Sequence, residues 1–232
     1  MADLFNVLTV PAETFKSILD QNSWQEALKP ILVLIILGLF SYWLLRDIYA
    51  DAGWEQASQR IEQSTHIPED QKNQALENAY DRIYNPSRGN LIFTYTLTGI
   101  SWPIRIGFMS LLALLVGNLF FGGGVAYSRV FLATSFTYCA SIVEYLVKTP
   151  LQYFTQKAQV LTGLGLLDLG AKGSFLNTFL IGVDLFSFWR VFLLAVAMGI
   201  LYQKQTKPFL YALTLVWLFQ LVFFTGLGTL IR

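Results

Sequence analysis

The sequence predicts an all-α fold, a polytopic membrane helical bundle with five transmembrane helices. Three observations carry this reading. Of 232 residues, 54% are hydrophobic and only 13% charged, whereas soluble domains carry about 25% charged residues. The apolar residues come in five runs, each near the roughly 20 residues that a helix needs to cross the hydrocarbon core. Aromatic and basic residues crowd the ends of the runs, as Trp43, Arg46 and Tyr49 do at the first and Tyr202, Lys204 and Lys207 at the fourth. Amphipathic rings and long cationic side chains settle at the membrane interface.

Residues 1–29 read as interfacial amphipathic helices. Leu4, Phe5, Leu8, Phe15, Ile18 and Leu19 recur at helical spacing among polar residues, with a break at Pro11, the pattern of two short helices lying on lipid. A cytosolic helix packed on a partner is the alternative. Ser23-Trp24-Gln25-Glu26 has the spacing of a capping box, and the first span, 30–49, passes through Pro30. Residues 50–100 form a polar helical hairpin and an approach segment, with eight acidic side chains from Asp47 through Asp81. Pro68-Glu69-Asp70 marks a helix start, where a missing backbone donor costs nothing and the helix dipole favours acids. That helix is expected to run to about Tyr84, before Asn85-Pro86-Ser87. The apolar run from Leu91 to Phe121 is too long for one straight span, and Pro103 removes a backbone donor within it. Residues 91–100 are therefore read as the approach. Four further spans follow in 101–232, near 101–121, 127–147, 178–202 and 208–230. Gly122-Gly123-Gly124 reverses the chain between the second and third, and Gln203 to Pro208 between the fourth and fifth. Residues 148–177 read as an interfacial segment, because Leu151, Tyr153, Phe154, Val160 and Leu161 accompany four glycines.

Composition excludes several function classes. A net charge of +1 lacks the basic excess of a nucleic-acid binder, and high hydrophobicity is incompatible with intrinsic disorder. Cys139 and His66 are each the sole residue of their type, which removes intramolecular disulfides, most zinc sites and nearly every His-containing catalytic pair. No cofactor, metal or catalytic residue is therefore assigned. A solvated loop histidine is the simplest reading of His66, between Glu62 and Glu69. The first apolar run starts behind Lys29 and ends without a small-residue cleavage site, so it is expected to stay in the mature chain. Alternating spans place Lys16, Lys29, Arg129, Lys204 and Lys207 on one face and nine basic residues, Lys172 and Arg232 among them, on the other. The short 203–207 turn has two lysines and no acid, so the positive-inside rule puts it, and the N-terminus, in the cytosol.

Four ionisable residues fall within the predicted spans: Arg105, Glu144, Asp184 and Arg190. Charge inside a membrane is costly and usually faces the bundle interior in pairs. Arg105, Glu144 and Asp184 are expected roughly 5 to 9 Å inward from one side, and Arg190 deeper, at roughly 18 Å. Asp184, Ser187 and Arg190 are spaced three apart and form a polar flank on one helix. The cluster is either an ion-paired lock between helices or a polar path. Gly165 to Ser174 looks like a phosphate-binding loop, but an alanine intervenes before Lys172 and no strand precedes it, so that reading is rejected. Gly107, Gly117, Gly199, Gly226 and Gly228 are read as close-packing positions.

The pattern resembles the Ypt-interacting protein (Yip) family of five-span membrane proteins. The resemblance rests on Pro11-Ala12-Glu13-Thr14-Phe15 before the first span, Arg129-Val130-Phe131 opening the third, and Thr149-Pro150-Leu151 after it. Its most specific part is Val183-Asp184-Leu185-Phe186-Ser187-Phe188-Trp189 entering the fourth span. It implies five helices and a cytosolic N-terminus. Eukaryotic members bind prenylated Rab GTPases, but the long N-terminal region with an Asp-Leu-Tyr-Gly type motif is absent here. Small-GTPase binding is therefore not carried over, and a bacterial-type member in the plasma (inner) membrane is expected. The expected function is a non-enzymatic scaffold or adaptor, with the lipid bilayer, membrane proteins or a homo-oligomer as partners. The alternative is a small channel or transporter built on the intramembrane charges.

Overall fold

The computed structural model describes residues 2–21, 23–171 and 173–230. Met1 and Asn22 of the N-terminal expectation, Lys172 of the interfacial segment and the basic count, and Ile231 and Arg232 at the C-terminal end lie outside them. The described residues are predominantly helical. Four helical stretches are long and apolar enough to cross a membrane: Trp24–Leu44, Arg88–Phe120, Tyr127–Thr155 and Thr206–Thr229. The predicted fourth span, 178–202, is not one helix. It divides into α9 (Phe175–Gly182) and α10 (Leu185–Leu201), with Val183 and Asp184 extended enough between them to pair Asp184 with Gly163 as an isolated bridge. The reason lies in Asp184. At φ −120° and ψ 162° it accepts a hydrogen bond from the Ser187 backbone N–H, which starts a new helix, as an Asp N-cap does.

The chain forms two compact units, Met1–Leu34 with Trp102–Glu144 and Leu161–Arg232, and Ile35–Ser101 with Tyr145–Val160. In the first, α1 (Ala2–Thr9) and α2 (Pro11–Asp20) are the two short helices expected around Pro11. Their apolar faces are mostly buried. Phe15, Ile18 and Val7 are at most 2% exposed, and α2 lies on α7 (Tyr127–Thr137) and α10. Phe5, in contrast, is 65% exposed, so one side of the pair packs on protein while an apolar residue of the other stays uncovered. The Ser23 side chain makes no capping bond. Glu26 turns instead to Lys29 one turn on, and Trp24–Ala27 is a 3-10 turn leading into α3 (Leu28–Leu44).

Pro103 does not interrupt α6, which runs unbroken from Arg88 to Leu115. The ring of a helical proline presses on the carbonyl four residues back, and here that residue is Gly99. A five-residue π turn, Val116–Phe120, ends the span, and Gly122 at φ 66° turns the chain, a conformation glycine adopts without strain. The third span outruns its predicted end. After a break at Tyr138, α8 (Cys139–Thr155) continues through Lys148 and Pro150, so part of the expected interfacial segment is helix. What remains of it is irregular backbone around a 3-10 turn, Leu164–Leu167, with Leu164, Leu166, Leu167 and Leu169 exposed. The core of this unit is α7 against α10, built on Ala133, Phe136, Leu193, Leu194, Ala197 and Met198, all at most 1% exposed. The buried hydroxyls of α7 are satisfied by their own helix, Thr134 on Val130 and Ser135 on Leu132, so they need no polar partner.

In the second unit, α4 (Arg46–Gln63) and α5 (Glu69–Tyr84) form an antiparallel polar hairpin. The Tyr84 hydroxyl donates to Asp51 at 2.7 Å, and Trp54 meets Tyr80 edge to face. The neighbouring carboxylate pushes the Tyr84 phenol up to about 12. Lys72 bridges Glu69 and the Glu62 carbonyl, and the His66 backbone N–H is held by Ser64 in the turn between the helices. Elsewhere in the unit, Ser41 and Thr149 share a buried hydrogen bond of 2.9 Å.

Candidate functional site

The predicted polar residues separate into two groups. Glu144 lies on α8, and Ser187 and Arg190 lie on α10, where α10 passes α7 and α8. The Arg190 guanidinium donates to the Glu144 carboxylate at 3.1 Å and to the Ser141 hydroxyl at 2.6 Å from one nitrogen, and to the Ser187 hydroxyl at 2.6 Å from another. Ser187 in turn donates to Asp184 at 3.0 Å, while the other Asp184 oxygen accepts the Ser187 backbone N–H at 2.9 Å. One connected network therefore runs Asp184, Ser187, Arg190, Glu144 and Ser141. The paired Arg190 and Glu144 side chains retain only 23% and 22% of their exposure.

The break before α10 changes the count along the helix on which the expected depth rested. Counting from 178 placed Arg190 roughly 18 Å in, but α10 begins at Leu185, so Arg190 is five residues, or about 8 Å, from its start. That is the level expected for Glu144, and the two meet. Arg105 does not join them. It is exposed, and its guanidinium carbon stands 5.6 Å from the Trp102 ring. Trp102 packs edge-on to Tyr138, whose ring lies 5.6 Å from the Arg190 guanidinium carbon. Aromatic faces thus lie beside both arginines.

Sequence reasoning missed Ser141 and Tyr138. Ser141 precedes Glu144 by three residues, a same-face spacing on a helix that would have found it. Tyr138 carries no such signal, since the break between α7 and α8 sets its direction. The loop before α10 is drawn against the network's edge: Leu164 donates its N–H to the Val183 carbonyl at 3.0 Å, and Gly163 leaves no room for a side chain against Val183 and Asp184.

The glycines divide as well. Gly117 and Gly123 accept the face of the Tyr202 ring, whose hydroxyl donates to Asn118 at 2.7 Å. Gly199 meets the Lys204 and Thr206 backbone, whereas a Cβ at Gly228 would meet nothing within 4 Å. Chemically, the network can hold helices in register; each of its acids already accepts from a neighbour. Compared with protein-family models, curated proteins and solved structures, the chain matches none.

Proposed function

We propose that the protein is a non-enzymatic scaffold or adaptor of the membrane, a bacterial-type member of the Yip family in the plasma membrane with its N-terminus in the cytosol. The observation that carries this reading is the closure of the intramembrane network on itself, with Arg190 held by Glu144, Ser141 and Ser187, and Asp184 spent on capping α10. An arginine so held fixes helices rather than waiting for a solute. In this reading α10, at 17 residues and about 26 Å, is the fifth crossing. The exposed polar hairpin of α4 and α5 is the contact surface for other membrane proteins.

A second reading, a small channel or transporter, draws on the break at Val183–Asp184, since discontinuous helices line many transport sites. Proteoliposome flux separates the two. The scaffold reading expects ion and small-solute flux equal to that of empty vesicles, in the native chain and in Glu144→Gln and Asp184→Asn alike. Flux that Glu144→Gln abolishes without lowering thermal stability overturns it.

A further inference from the structure

A span helix that faces lipid normally shows it apolar groups alone. The last one, α11 (Thr206–Leu230), follows that pattern: only 11% of its most apolar stretch is buried, and its one charged residue, Lys207, sits in its first turn. Helix α6 departs from it. Its two charged residues are Arg88, at the first position, and Arg105, well inside the helix. Arg105 is exposed, and so are Ile104 beside it and Phe108 one turn on.

A cation in that setting needs an anion. Among the described residues Arg105 makes no ion pair and donates no hydrogen bond; the contact that holds it is the Trp102 ring, 5.6 Å from its guanidinium carbon. An aromatic face steadies a cation, but it leaves the N–H fork of the guanidinium unmet. Arg190 spends its fork on Ser141, Glu144 and Ser187. Arg105 therefore has free what Arg190 has used. Trp102 itself is buried and packs edge-on to Tyr138, so the ring that positions Arg105 belongs to the bundle.

Depth identifies the anion. Some fifteen residues separate Arg105 from Phe120, where the span ends, which is about 23 Å along the axis. With the 122–124 turn at one boundary of a hydrocarbon core about 30 Å thick, Arg105 stands about 7 Å short of the other. An extended arginine reaches across that distance to the headgroups, and the anions there are lipid phosphates.

We propose that Arg105 and Trp102 form a binding site for the headgroup of one anionic phospholipid, its phosphate on the Arg105 fork and its acyl chains along Ile104 and Phe108. The planar fork matches two phosphate oxygens at once. Net charge decides between lipids. A zwitterionic headgroup brings an ammonium that competes with Arg105 for the phosphate, and no carboxylate pairs with Arg105 to receive it. The inference is independent of the scaffold reading.

The test titrates the full chain, purified in detergent, with phosphatidylglycerol and with phosphatidylcholine of the same acyl chains, and counts bound lipid by native mass spectrometry. The first phosphatidylglycerol is expected to bind about tenfold more tightly than phosphatidylcholine, the effect of one hydrogen bond to a charged group. Arg105→Gln should remove that preference, Arg105→Lys should keep part of it, and Arg88→Gln should keep all of it. Because Arg105 is exposed, thermal melting of Arg105→Gln should match the native chain, which separates a lost lipid from a lost fold. Equal affinity of the native chain for the two lipids, or a preference that survives Arg105→Gln, overturns the proposal. So does displacement of the lipid by glycerol phosphate, which would make this a site for soluble phosphate. Disulfide crosslinking of Phe108→Cys between two copies that phosphatidylglycerol does not block overturns it as well, since a second chain would then cover this face.

Discussion

Helices α10 and α11 are neighbours in sequence, joined by a turn of a few residues, and both read as apolar spans. Their fates differ. In α10, eleven of 17 residues are buried, whereas Tyr211, Leu215, Phe219, Phe223 and Phe224 of α11 are all more than half exposed. Hydropathy does not separate them, because lipid is as apolar as a leucine side chain and rewards neither position. What separates them is size. Ala195, Ala197 and Gly199 let α10 approach its neighbours closely, and close backbone approach is what drives packing between helices in lipid. The bulky α11 lies against α10, burying Phe209 and Leu213 near its start, and meets α9 further along, where Gly182 leaves no room beside Leu221; its remaining faces stay open.

The contrast can be broken most severely at Arg190. Replacing it with alanine leaves Glu144 without its guanidinium partner, and losing one side of a buried pair costs about 3 kcal/mol. The double replacement Arg190→Met with Glu144→Met should recover most of that loss, as read by thermal denaturation in detergent. A single Arg190→Ala that melts like the native chain would remove the lock from the account of α10. A smaller effect is expected where α10 ends. A Cβ at Gly117 overlaps the Tyr202 ring, so Gly117→Ala should cost about 2 kcal/mol, within the usual range for overpacking. Adding Tyr202→Ala to that variant should remove the clash. If the two losses simply add in a double-mutant cycle, the ring and the glycine do not interact as described. The smallest expected effect concerns the start of α10: Asp184→Ala should lose about 1 kcal/mol as an N-cap deletion, and Asp184→Asn, also a good cap, clearly less. Equal losses in the two would show that the Asp184 charge, rather than its capping geometry, holds the helix start.

Much of this organisation was legible in composition and spacing: the helical class, the breaks at Pro11 and at the 122–124 glycines, the polar hairpin and its stop before Asn85. The misreadings share a cause. Pro103 carries in the sequence reading the weight it has in water, but membrane helices tolerate proline because neighbouring groups re-satisfy the freed carbonyl. Asp184 was placed within a span because a hydropathy window averages across it, although Asp with Ser three residues on is also a helix-start pattern. That single displacement lengthened the count from the helix start to Arg190 and hid its contact with Glu144. Arg105 shows the converse limit. Hydropathy places a charge along a helix but not around it, and Arg105 faces out, beside Trp102. Ser23 and Glu26 had the spacing of a capping box, yet Lys29 competes for the glutamate.

The packing of α2 on α10 sets a schedule for the chain's birth. Some 165 residues separate the end of α2 at Asp20 from the start of α10 at Leu185. At a translation rate of about 5 to 20 residues per second, roughly 8 to 30 s pass before the partner exists. The other helix under α2, α7, is made earlier, so the Phe15 and Ile18 face first meets α7 and is closed over only when α10 arrives. A helix pair near the start of the chain thus waits for two later helices, and is covered in two steps rather than one.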